Sequence, residues 1–101
     1  MARPRSQLHD ILKNLDGVAD AYFQAPTTGM QYPCIKYQRS RSLAFDADNL
    51  KYLLYKRYTV TVIDRDPDSL IPDQVEALPH SRFDRFYAVE GLNHFVFDLY
   101  F

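Results

Sequence analysis

Leu8, Ile11, Leu12 and Leu15 recur at i, i+3, i+4 and i+7, the spacing that lines one stripe of a helix. Pro4 suits a first turn, where its missing amide hydrogen costs nothing, and Gly17 suits the close, so the pattern predicts a helix from about Pro4 to Leu15. Ala21 to Gln24 reads as a short strand. The segment APTTGMQYP after it carries the breakers Pro26, Gly29 and Pro33 and is expected to be an exposed loop. From Cys34 to Arg39 the residues alternate, with Cys34, Lys36 and Gln38 on one side and Ile35, Tyr37 and Arg39 on the other, which predicts a second strand. Between Ser40 and Asn49 no period survives, and an ordered-to-mobile loop is expected.

Leu53 to Asp64 is the strongest strand signal in the chain. Tyr58, Val60 and Val62 fall on one face and Tyr55, Thr59, Thr61 and Ile63 on the other, and two largely apolar faces imply a central position in a sheet. Asp68 or Ser69 can cap a short second helix from Leu70 to Leu78 whose apolar set is Leu70, Ile71, Val75 and Leu78; Pro72 is tolerable only in its first turn, and Pro79 ends it. Arg82 to Val89 and Leu92 to Phe101 then form two strands around Glu90-Gly91, a hairpin in which Phe95, Phe97, Leu99 and Phe101 share a face. The order α-β-β-β-α-β-β predicts an α+β class with a mostly antiparallel sheet of about five strands, in one domain.

Composition narrows the functions open to such a fold. The chain has 101 residues, enough for one modest core. Twelve Lys and Arg against 13 Asp and Glu leave a net charge of −1, which supplies no global field to hold nucleic acid or an anionic membrane. Cys34 is the single cysteine and therefore forms neither an internal disulfide nor a paired redox or zinc site. The start MARPRSQLHDILKNL lacks the apolar segment of a signal peptide, and no later run is long enough to span a bilayer, so the chain is expected to be soluble and untargeted. Eight Tyr and seven Phe suit half-buried sheet faces and interfaces, where rings pack and hydroxyls stay wet.

The stretch TVTVIDRDPDS offers the most specific candidate chemistry. An apolar strand running into Asp-x-Asp is how some phosphoryl-transfer enzymes present a nucleophilic carboxylate, but those need backbone amides just after it, and here Asp66 is followed by Pro67, which has none. Asp64, Asp66 and Asp68 also fill the first, third and fifth places of a calcium loop, but the sixth is Ser69 instead of Gly and the twelfth is Val75 instead of Glu, leaving at most a weak cation site. A structural corner accounts for all of it. The strand ends, Asp64 and Asp66 accept turn amides, Arg65 can pair with either, and Asp68 or Ser69 caps the helix. His9, His80 and His94 belong to different predicted elements and make no triad. No catalytic residue, metal ligand or cofactor site is expected, and the chain is read as no enzyme. Arg39 and Arg41 in RSRS can touch phosphate but suit a solvated or protein-contacting loop, and RFDRFY, with Arg82, Asp84 and Arg85 beside Phe83 and Phe86, can stack a base or form a sheet edge or subunit interface.

The run KRYTVTVIDRDPDSLIPDQVEALPHSRFDRFYAVEGLNHFVFDLYF, with YPCIKY upstream, resembles the small neck proteins of long-tailed bacteriophages, the tail terminator, tail completion or minor capsid family. The likeness covers about Tyr22 to Phe101 and is most specific at YTVTVIDRDPDS, RFDR and LNH; the N-terminal helix matches only in kind. It implies a single terminator-like domain over residues 1–101, with both helices on one face of a twisted sheet. It also implies a homo-oligomeric ring, commonly a hexamer, that stops growth of the tail tube and joins the tail to the head connector. The expected partners are other copies of the chain, the tube protein and the head-proximal connector or stopper protein, with DNA only in transit and no membrane. The expected place is the virion neck, after assembly in the bacterial cytoplasm. Arg39, Arg41, Asp48, Arg82, Asp84 and Arg85 are the candidate contacts between subunits or to tube and connector. An adjacent head-completion role is the alternative, and an OB-type single-stranded nucleic-acid module is a further one, since five aromatic-rich strands also describe that barrel.

Overall fold

The computed structural model describes residues 4–24, 29–40 and 56–101. The expectations for Tyr55 and for most of the Ser40 to Leu54 stretch, Arg41 and Asp48 included, lie outside these residues. The elements are α1 (Arg5–Lys13), β1 (Asp20–Phe23), β2 (Cys34–Arg39), β3 (Arg57–Asp64), α2 (Ile71–Glu76), β4 (Ser81–Val89) and β5 (Leu92–Tyr100). They form an α+β fold whose five strands lie in the order β1-β2-β3-β5-β4, with β3 in the middle as its two apolar faces require. The pairs are antiparallel except for β1 and β2, which run parallel, so the sheet is mixed. Among the described residues its two edges, β1 and β4, lie at opposite ends, so the described strands form an open sheet and not a closed barrel.

Strand alternation decides what the helices cover. Tyr58, Val60 and Val62 of β3 stand opposite Leu99, Phe97 and Phe95 of β5, and all six side chains face the helices. Leu8 and Leu12 from α1 and Ile71 and Val75 from α2 close over them, joined by Ile35, Tyr37 and Phe101 in one apolar cluster. Complete burial of each such aliphatic or aromatic side chain contributes about 1.5–3 kcal/mol, which is how a 101-residue chain offsets the entropy of ordering. The turn after α1 is also tied to α2. The Asp16 amide donates to Gln74 Oε1 at 2.8 Å, and Gln74 Nε2 donates back to the Asp16 carbonyl at 2.9 Å.

One polar group lies deep against this cluster. The Tyr37 ring is buried, and its hydroxyl receives Arg5 Nη1 at 3.1 Å and meets His9 Nδ1 at 2.7 Å. Burial raises the Tyr37 pKa above its ordinary value, and the Arg5 hydrogen bond opposes that only in part.

Three local readings are corrected. The second helix stops at Glu76 rather than Leu78, with Ala77 as its C-cap, and Leu70 stands before its first turn and is 73% exposed, outside the apolar set. Neither proposed cap holds the N-cap position, which is Leu70 with no side-chain cap bond; Ser69, one residue earlier, accepts the Ile71 amide on its Oγ at 3.2 Å, while Asp68 turns its own amide to Asp66 Oδ1 at 2.9 Å. Gly17 does not close α1, whose C-cap is Asn14; it turns the following loop at φ +88 beside the Ile71 side chain, where a left-handed residue is required. The hairpin fits its sequence, since Glu90 (φ 52) and Gly91 (φ 76) both take the left-handed conformation of a two-residue turn.

Candidate functional site

The sheet ends in an uncovered strand. From Arg82 to Val89 every residue of β4 is exposed, although the sequence is as aromatic as a core strand. Two features produce this. β4 is an edge, and its register against β5 slips between Phe83 and Arg85: Phe83 stands opposite Phe97 and Arg85 opposite Val96, so Asp84 is the extra residue of a bulge. The bulge resets the alternation. Phe83 and Phe86, three apart, share the helix face, where they touch Phe97 (centroids 5.5 Å) and Phe95 (5.0 Å) and border a hollow with Pro67, Pro72 and Glu76 of the α2 region. Asp84 and Arg85 fall to the opposite face with Arg82 and Tyr87. Arg85 and Tyr87 there line a shallow depression with Lys36, Thr59 and Thr61, and Tyr87 stacks on His94 at 4.6 Å.

The candidate contact residues therefore divide. Arg82, Asp84 and Arg85 come together on one strand; Arg39 lies exposed at the end of β2, opposite Tyr58 and separated from β4 by β3 and β5. Arg41 and Asp48 lie outside the described residues. Arg57 pairs with Asp98 at 3.1 Å, and among the described residues no ion pair engages Arg82, Asp84 or Arg85, so the three β4 charges remain available to something outside the fold.

The Asp-x-Asp corner adjoins this edge. Asp64 Oδ1 accepts the Asp66 amide at 3.0 Å and Asp66 Oδ1 accepts the Asp68 amide at 2.9 Å, two successive side-chain turns that occupy the carboxylates as the structural reading expects. Arg65 pairs with neither. Its guanidinium lies 5.6 Å from the Tyr32 ring centroid. Sequence reasoning missed the residue that holds the corner, Asn93, whose Nδ2 donates to the carbonyls of Asp64 (3.1 Å) and Arg65 (3.3 Å). Its position directly after the hairpin, in register with Asp64, is the signal that could have found it. Among the described residues no three His, Cys, Asp or Glu side chains converge as a metal ion needs.

The other titratable groups are structural in setting. Cys34 is fully buried, and burial pushes its thiol up to about 11 against a partial offset from Lys36, so the reactive thiolate is scarce at neutral pH. Burial lowers the His94 pKa, opposed by its Nδ1 contact to the Leu92 carbonyl at 3.2 Å. His9, His94 and His80 sit on α1, on β5 and in the turn before β4 respectively, with His80 at φ 61. No protein-family model, curated protein or solved structure matches the chain.

Proposed function

We propose that the protein is a structural component of a phage tail: a ring-forming tail terminator that caps the tail tube, joins it to the head connector and lets DNA pass through its channel. One observation carries this reading. The three blocks that hold the family likeness, YTVTVIDRDPDS, RFDR and LNH, fall on one continuous piece of the fold. The first is β3 and its corner, the third supplies the Asn93 clamp on that corner, and the second is the bulged edge strand beside them.

The physical demands of the role fit these residues. Subunits of a ring meet through surfaces left unsatisfied in the single chain, and β4 is a nine-residue edge with exposed rings and charges. A channel that lets duplex slide must avoid many simultaneous phosphate contacts, and a chain of net charge −1 is suited to that. The test is a tube-assembly reaction followed by electron microscopy. Added protein should shorten the tubes and leave a ring on one end. Tubes that grow undisturbed with bare ends would overturn the reading, and attachment to head connectors alone would move the protein to head completion.

A further inference from the structure

The edge strand matches itself. The mutual bonds between Lys56 and Phe101, each amide donating to the other's carbonyl at 2.9 Å, fix the phase of β5: Phe101, Leu99, Phe97, Phe95 and Asn93 turn their backbone groups to β3. Their β4 partners therefore turn the other way. Phe83, Phe86 and Ala88, opposite Phe97, Phe95 and Asn93, present N–H and C=O to the free edge. Read outward from the Asp84–Arg85 step, the order is the same in both directions: a charged residue on the open face, a phenylalanine on the helix face with its backbone outward, then Arg82 or Tyr87 on the open face. An ordinary strand cannot have this symmetry, because neighbours alternate faces; the bulge creates it by putting Asp84 and Arg85 on one side.

We propose that in the unassembled protein two copies pair antiparallel along β4, Asp84 of each opposite Arg85 of the other, joining two five-stranded sheets into one. In that register Phe83 meets Phe86 of the second copy, twice, and Arg82 lies over Tyr87. These three kinds of pair are each of like face and complementary chemistry. A one-residue slip would set the rings against the charged face. The occupant is a second copy because the large apolar side chains left exposed among the described residues are Leu70, Phe83, Phe86, Tyr87 and Val89, four of them on β4 itself. The fifth, Leu70, is not aromatic. A subunit held in a ring by β4 cannot hold a second copy by the same edge, so this pair is the form that precedes assembly and keeps the edge from indiscriminate strand addition.

The experiment is sedimentation of the full chain over a wide concentration range, for wild type, Asp84→Arg, Arg85→Asp and the double exchange. Wild type should reach twice the 11.9 kDa chain mass. Each single variant sets like charges opposite one another at two places in the pair and should weaken it about tenfold or more, whereas the double exchange restores opposite charges and should restore pairing. Hydrogen exchange on wild type supplies a reading without substitutions: the amides of Phe83, Phe86 and Ala88 should gain protection as concentration rises. A wild type that stays monomeric, single variants that pair as tightly as wild type, a double variant no better than the singles, or edge amides indifferent to concentration would each overturn the pairing. A ring-sized species retained by all four proteins would overturn it too, while leaving the ring reading standing.

Discussion

Phe86 and Phe97 stand on the same face of adjacent strands, and truncating them should have opposite consequences. Phe97 is 1% exposed and lies opposite Val60 at the centre of the sheet, so Phe97→Ala loses its whole burial and leaves a cavity, a cost of about 3–5 kcal/mol. Phe86 is 50% exposed, so half of a phenylalanine's burial is at stake, about 1 kcal/mol, and its tilted pairing with Phe95 adds roughly another. A domain of this size has about 5–15 kcal/mol in hand, so Phe97→Ala consumes much of the margin and Phe86→Ala little. Urea unfolding followed by circular dichroism, at a concentration where the chain is monomeric, measures both; sedimentation at high concentration then measures association. The account expects Phe97→Ala to lower the midpoint strongly, and Phe86→Ala to lower it slightly while weakening self-association. A dilute-solution loss above about 3 kcal/mol for Phe86→Ala would place that ring in the core of the single chain, and β4 would not be an edge awaiting a partner.

Val60 is fully buried in the central strand, so Val60→Asp should yield insoluble protein while Thr59→Ser stays mild, measured as soluble yield; a soluble, folded Val60→Asp would mean that the sheet order is wrong. Glu90 holds φ 52 at the hairpin turn, a conformation asparagine takes more readily, so Glu90→Asn should stabilise by about 0.5–1 kcal/mol and raise Tm by a few degrees; an unchanged or lower Tm would refute this. Burial holds the folded His94 pKa below its ordinary 6.5, so the unfolded chain takes up the proton first. Stability is then full above pH 6.5 and falls as pH drops from there through the folded value, and a pH series of melts should show that acid slope reduced in His94→Gln.

Much of the fold was legible because it rests on side-chain period. The alternation around Val60 and Val62 placed β3 at the centre, the Leu8 to Leu15 stripe gave α1, and Glu90-Gly91 gave the hairpin, each a local signal that the tertiary structure reinforces. Pairing partners were not legible. Nothing in Asp20 to Phe23 distinguishes a strand that will lie parallel to β2 from one that will lie antiparallel, because the choice is made by the path of the connection. The bulge at Asp84 was hidden for another reason: Arg82 to Val89 reads as a regular strand, and only the three-residue spacing of Phe83 and Phe86 betrays the change of face. Exposure was hidden as well, since an aromatic edge strand and an aromatic core strand have the same composition. The corner was legible through the spacing of Asp64 and Asp66, which each reach an amide two residues on, while the Asn93 clamp depends on a contact 29 residues away. Arg82, Asp84 and Arg85 were legible as a group because they are close in sequence. The separation of Arg39 from them is a property of sheet order alone.

The central claim is that this protein ends a growing tube, and tail length is its most direct measure. A tube polymer offers the same heterologous surface after every added subunit until something without a continuing surface binds it. Electron micrographs should therefore be taken of particles made by a phage that carries this gene, with the gene deleted. The account predicts filled heads beside unattached tails of uncontrolled length. Tails of normal length beside heads that leak DNA would contradict it.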